Sequence, residues 1–138
     1  MFPFFETAKK KQKRRDAFCS SRQKCSDQDF VVACGCKSSE SQYAIQTRKA
    51  IARLAGIEPD FIWHNDRFNL ELVSLPFWRE PYSNLFIRAL EKEGICISTA
   101  EAMRLENIDA VTDHFCVREL VQQIVKIKKS ETQTNSDP

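Results

Sequence analysis

The side chains of this 138-residue chain best suited to chemistry by type are its six cysteines and two histidines: Cys19, Cys25, Cys34, Cys36, Cys96, Cys116, His64 and His114. A zinc site needs paired ligands at C-x2–4-C spacing, and the pair must be repeated. Only Cys34-Gly35-Cys36 comes near that pattern, with one residue between the thiols, and no second pair matches it, so no metal site is expected. Cys96 lies in an Ile-Cys-Ile run and Cys116 opens an apolar helical stripe, so both read as small core residues. His114 and Cys116 would suit a base and a nucleophile, but side chains two residues apart on a helix point away from each other.

Glu58, Asp60 and Asp66 are the carboxylates that could form an acid–base set, yet they fall in a polar loop with no sequence neighbour to perturb their pKa values. The three glycines are scattered and cannot build a phosphate-cradling loop. Catalysis is not expected.

The formal net charge of +2 conceals an uneven distribution. Residues 1–25 carry eight Lys/Arg against two acids, a charge of +6, and residues 26–138 carry thirteen basic against seventeen acidic side chains, a charge of −4. The run Lys9–Arg15 could bind nucleic acid through counterion release. No aromatic set interleaves with it for base stacking, so a solvated tail is the preferred reading and nucleic acid is not the favoured partner. No apolar run approaches the ~18 residues that span a bilayer, and no membrane partner is expected. The Met1-Phe2-Pro3-Phe4-Phe5 start has its positive charge after the apolar stretch rather than before it, unlike a secretory signal. Reduced thiols and a cytoplasmic location are therefore expected.

The elements that would position these residues are helical. Residues 1–25 form a basic arm, disordered or loosely helical, because no apolar periodicity could bury it. Ser26-Asp27-Gln28-Asp29 pairs a hydroxyl cap with a carboxylate three residues on; Phe30, Val31 and Cys34 then share a face, and Gly35 is a stop. A second helix is predicted over Ser41–Ala55, with Ala44, Ile51, Leu54 and Ala55 at helical spacing, Ile45 and Ala52 broadening that face, and Gly56 as the terminator. A long loop through Trp63, Phe68 and Leu72 to Pro76-Phe77-Trp78 should fold onto the body.

Pro81 suits the first position of a third helix, which would turn Leu85, Phe86, Ala89 and Leu90 inward and end at Glu93-Gly94. Ile95-Cys96-Ile97 reads as extended, and Ser98 caps a short helix through Leu105. Val117, Leu120, Val121, Ile124, Val125 and Ile127 mark a closing helix with Arg118, Glu119, Gln122 and Gln123 facing water. It ends near Lys129, and residues 130–138 form a polar, disordered tail. The body, residues 26–129, is all-α.

From Ser41 onward this order of elements resembles the acyl carrier proteins. Three segments carry the likeness. Asp66-Arg67-Phe68, followed by Leu70 and Leu72, looks like the family's loop signature ahead of its attachment site. Leu85 to Ile97 looks like its second helix and Ile-x-Ile exit, and Phe115 to Ile124 looks like the start of its last helix, with Cys116 where a Thr is usual. The resemblance implies an acyl-carrier-like four-helix bundle, three helices long and one short, with an extra short N-terminal helix.

The family attaches 4'-phosphopantetheine to the Ser of an Asp-Ser-Leu triplet, which by counting back from Ala89-Leu90-Glu91 falls on Arg79-Glu80-Pro81. Glu80 has no hydroxyl for a phosphodiester, so no cofactor is expected. Ser83, one turn later, is the fallback of a genuine carrier. The resemblance thus implies a non-catalytic interaction module whose protein partner would be of the biosynthetic-enzyme kind. It would dock through Phe77, Trp78, Arg79, Glu80, Tyr82 and Arg88, with apolar contact from Trp78 and Tyr82 and charge from Arg79 and Arg88. For Trp63, Phe68, Phe77, Trp78 and Tyr82 the default reading is core, the loop folded over the helices, and the docking patch requires Trp78 and Tyr82 to be exposed beside Arg79.

Overall fold

The computed structural model describes residues 7–68, 70–75, 84–106 and 115–136. Among these residues there are six α-helices and no strand: α1 (Ala8–Ser20), α2 (Asp27–Ala33), α3 (Ser41–Ala55), α4 (Asn84–Lys92), α5 (Thr99–Glu106) and α6 (Val117–Ser136). Short 3-10 turns at Ser38–Glu40, Pro59–Phe61 and Leu72–Ser74 shape the connections. The all-α class expected from the hydrophobic periodicity is the class observed.

Local signals set the boundaries where they are strong. Ser26 Oγ accepts the Asp29 N–H at 3.1 Å and starts α2, whose Phe30 and Val31 are buried. Gly56, at φ +75°, ends α3 in the left-handed conformation and returns its N–H to Ala52 O at 2.8 Å. Ser98 and Glu101 open α5 with a reciprocal capping box, Glu101 N–H to Ser98 Oγ at 3.2 Å and Ser98 N–H to Glu101 Oε1 at 2.8 Å.

α3 is the central helix and packs against α2, α4 and α6. Its own Ile51 and the surrounding Phe30, Phe86, Leu90, Leu105, Leu120 and Ile124 are all fully buried. The long loop after α3 closes over this core as expected, with Ile62, Phe68, Leu72 and Leu75 buried. It is zipped to the start of α6. Val117 and Arg118 donate their N–H groups to Asp66 O and His64 O at 2.9 and 2.8 Å, so amides that a helix start leaves unpaired find partners in the loop. The Phe68 and Phe115 rings, 5.5 Å apart, close the same seam.

Four expectations change. The basic arm contains a 13-residue helix, α1, held by a few long-reach anchors rather than by an apolar stripe, which is why its periodicity is silent. At the other end α6 continues to Ser136 in place of a tail from residue 130. Leu85 is 58% exposed, not inward. The buried stripe of α4 is Phe86, Ala89 and Leu90, and at 100° per residue Leu85 lies roughly 90° from its centre. Cys96 is exposed because the segment leaving α4 buries Ile95 and turns the next side chain outward.

Candidate functional site

Of the residues singled out for partner binding, Arg88 is described: it lies on the outer face of α4, exposed, one turn from the exposed Leu85. Phe86, Ala89 and Leu90 fix that orientation by filling the core from the opposite side. Arg53 of α3 clasps Glu93 just beyond the end of α4 with two bonds to one carboxylate oxygen, Nε at 3.0 Å and Nη2 at 2.5 Å. Phe77, Trp78, Arg79, Glu80, Tyr82 and the fallback Ser83 lie outside the described residues, as does His114.

The most concentrated chemistry lies elsewhere, where the α1–α2 connection meets the long loop. A cleft of ≈ 450 Å³ is lined by Arg22, Trp63, Asn65, Asp66, Arg67 and Glu71. Asp66, read from sequence as a solvated carboxylate, is 1% exposed. Burial pushes its carboxyl pKa up, against the lowering effect of the Arg22 guanidinium and the Trp63 N–H. Arg22 grips it with both terminal nitrogens at 2.7 and 2.6 Å and gives a further bond to Phe61 O at 3.1 Å. The guanidinium is sandwiched between Phe18, 4.0 Å from its ring centroid, and Trp63, at 4.3 Å. Next to this pair Arg67 and Glu71 hold one another through Nε and Nη2 at 3.3 and 3.1 Å. The pKa of Glu71 is lowered: burial raises it, and the side-chain and backbone bonds from Arg67 outweigh that. These ion pairs bind the lining residues of the cleft to each other. The arrangement is a buckle between two stretches of chain.

A second buried cation was not singled out from the sequence. Arg48 on α3 is fully buried, donating to Ile62 O (3.2 Å), Cys25 O (2.9 Å), Asp27 (2.9 Å) and Asp60 (3.4 Å), with the Phe30 ring 4.6 Å away. The signal was present: Ala44, Arg48, Ile51 and Ala55 step at 4-3-4 spacing, so Arg48 sits in the apolar stripe itself. It ties α2 and the loop to α3, a structural role.

The basic segment divides into two functional sets. Arg14 donates to Ser74 O at 2.9 Å and Val73 O at 3.4 Å, and Arg15 donates to Ala55 O at 2.8 Å, which caps the open carbonyl end of α3. Phe18 is buried, and Lys24 pairs with Glu58 at 2.8 Å. Lys9, Lys10, Lys11 and Lys13 are exposed and face no carboxylate among the described residues.

Among the described residues no group of three His, Cys, Asp or Glu side chains could hold a metal, and no helix is long and apolar enough to cross a membrane. Burial pushes the Cys34 thiol up to about 12, aided by the nearby Cys36 and Cys116. Cys36 and Cys19 are raised as well, again chiefly by burial. These are poor nucleophiles. Compared with protein-family models, with curated proteins and with solved structures, the chain matches none of them.

Proposed function

We propose that this protein is a non-catalytic, acyl-carrier-like interaction module without a prosthetic group. The observation that carries the reading is the outer face of α4. Leu85 stands 58% exposed beside Arg88 while Phe86, Ala89 and Leu90 anchor that helix in the core. In the carrier family the second helix is the element that partner enzymes grip, and on the resemblance α4 would be its counterpart. The succession of α3, a long loop, α4, the short α5 and the closing α6 supports the bundle that the resemblance implies, with α1 and α2 added. An apolar residue beside a cation suits a protein partner with an apolar pocket rimmed by acid.

Phosphopantetheine does not fit this chain as the family would hold it. Its position falls on Glu80, whose carboxylate cannot form the phosphodiester. The test is the intact mass after incubation with coenzyme A and a broad-specificity phosphopantetheinyl transferase, which is expected to stay unchanged. A gain of one phosphopantetheine overturns the reading and makes the chain a genuine carrier, with Ser83→Ala then deciding the attachment site. On the binding side, a photo-crosslinker placed at Leu85 should capture a partner, and Arg88→Glu should abolish that capture.

A further inference from the structure

The lysine-bearing half of α1 has no task in the carrier-like reading, and its geometry selects a partner. Lys9, Lys10, Lys11 and Lys13 are exposed, while the next turns hold the helix to the body through Arg14 on Ser74 O, Arg15 on Ala55 O and buried Phe18. The charges are therefore carried on a fixed rod and not on a loose chain, which lowers the ordering cost of binding. At 100° per residue the four ammonium stems leave the helix axis at about 0°, 100°, 200° and 40°, so charge projects to three sides.

That distribution matches a groove with two phosphate walls. It does not match a bilayer surface, where a bound helix needs an apolar face opposite its charges. The remaining exposed side chains of α1 include Gln12 and Asp16, joined at 2.8 Å, and its one buried apolar side chain, Phe18, is already in the core. An α-helix about 10–12 Å wide enters the ≈ 12 Å major groove of B-DNA. The deep, narrow major groove of A-form RNA does not admit it. Residues 26–138, at −4, are repelled by phosphate and confine contact to α1.

We infer that Lys9, Lys10, Lys11 and Lys13 dock α1 onto duplex DNA by sequence-independent phosphate contact. Four neutralised phosphates give a slope of log affinity against log salt of about −3.6, so binding falls about 150-fold between 50 and 200 mM salt. Fluorescence anisotropy of the full chain with a labelled duplex of about 20 base pairs reads this directly. The K9Q/K10Q/K11Q/K13Q variant should keep its melting temperature, because the four side chains are exposed, and should lose the binding. Absence of binding at 50 mM salt, undiminished binding by that variant, equal affinity for single-stranded RNA, or stronger binding to phosphatidylserine vesicles than to the duplex would each overturn the proposal.

Discussion

Arg22 and Asp66, 44 residues apart in the chain, meet as a bidentate ion pair at 2.7 and 2.6 Å, with side chains 9% and 2% exposed. The pair joins the end of the basic segment to the loop that closes over the core, and the Phe18 and Trp63 rings cover the guanidinium on either side. Desolvating both charges is costly, and their mutual contact, the Phe61 carbonyl, the Trp63 N–H and the two aromatic rings offset that cost.

Removing one member strands the other in a buried site. Arg22→Gln and Asp66→Asn should each lower unfolding stability by about 3 kcal/mol, read as a fall in the urea midpoint. The double variant Arg22→Met/Asp66→Leu removes both charges and should cost markedly less than the sum of the singles. A double variant as unstable as that sum would show that the two side chains contribute independently.

Glu40 gives the acid limb of stability a sign. Its pKa is lowered, first by the Lys129 ammonium on its carboxylate and then by the Lys37 N–H at 2.9 Å. A carboxylate with a depressed folded pKa contributes stability that is present above its unfolded value of 4.5 and is lost as pH falls through the folded value. Glu40→Gln should therefore lower stability at neutral pH and flatten its decline below pH 4.5 in melts across that range.

Much of this architecture was legible because it rests on short-range physics. Ser26, Gly56 and Ser98 act within one helical turn, and the α3 and α6 stripes repeat often enough to declare their faces. The buckle was not legible, since Arg22 looks like one more charge in a basic run and Asp66 like any loop carboxylate. Their pairing follows from where the loop folds, and no spacing along the chain encodes that. The same holds for α1, where four residues (Arg14, Arg15, Phe18 and Arg22) hold a helix whose remaining side chains, the half-buried Cys19 apart, face water. Arg48 is the intermediate case, a cation visible in an apolar stripe but with partners that only the fold supplies.

Two glycines separate backbone strain from contact. Gly35 and Gly56 sit at φ +73° and +75°, so an alanine at either pays the left-handed penalty of about 1–2 kcal/mol. At Gly35 the nearest atom to the new Cβ would be Gln122 Nε2 at 3.9 Å, whereas at Gly56 it would be Arg15 Nε at 2.7 Å. Gly56→Ala should therefore destabilise more than Gly35→Ala, by the worth of the displaced Arg15–Ala55 bond. In an Arg15→Ala background that excess should disappear, as chemical denaturation of the four variants would show.

Thiol chemistry provides a local readout of the seam between α2 and α6. Cys96 is exposed and should be the fastest of the described cysteines to alkylate with iodoacetamide at pH 8. Cys34 is fully buried at the end of α2 with its thiol pushed up to about 12, so it holds almost no thiolate at that pH and is shielded from reagent. Its carbonyl accepts the Gln122 side-chain N–H of α6 at 3.1 Å, which fastens the C-terminal end of α2 to the closing helix. Labelling of Cys34 should thus require opening of that seam and track unfolding in denaturant. Gln122→Ala should speed Cys34 labelling while leaving Cys96 unchanged, because Cys96 lies on the α4–α5 connection and is already open to solvent. Peptide mapping after timed alkylation pulses distinguishes the two, and equal acceleration at both thiols would mean that Gln122 supports the whole bundle and not this seam.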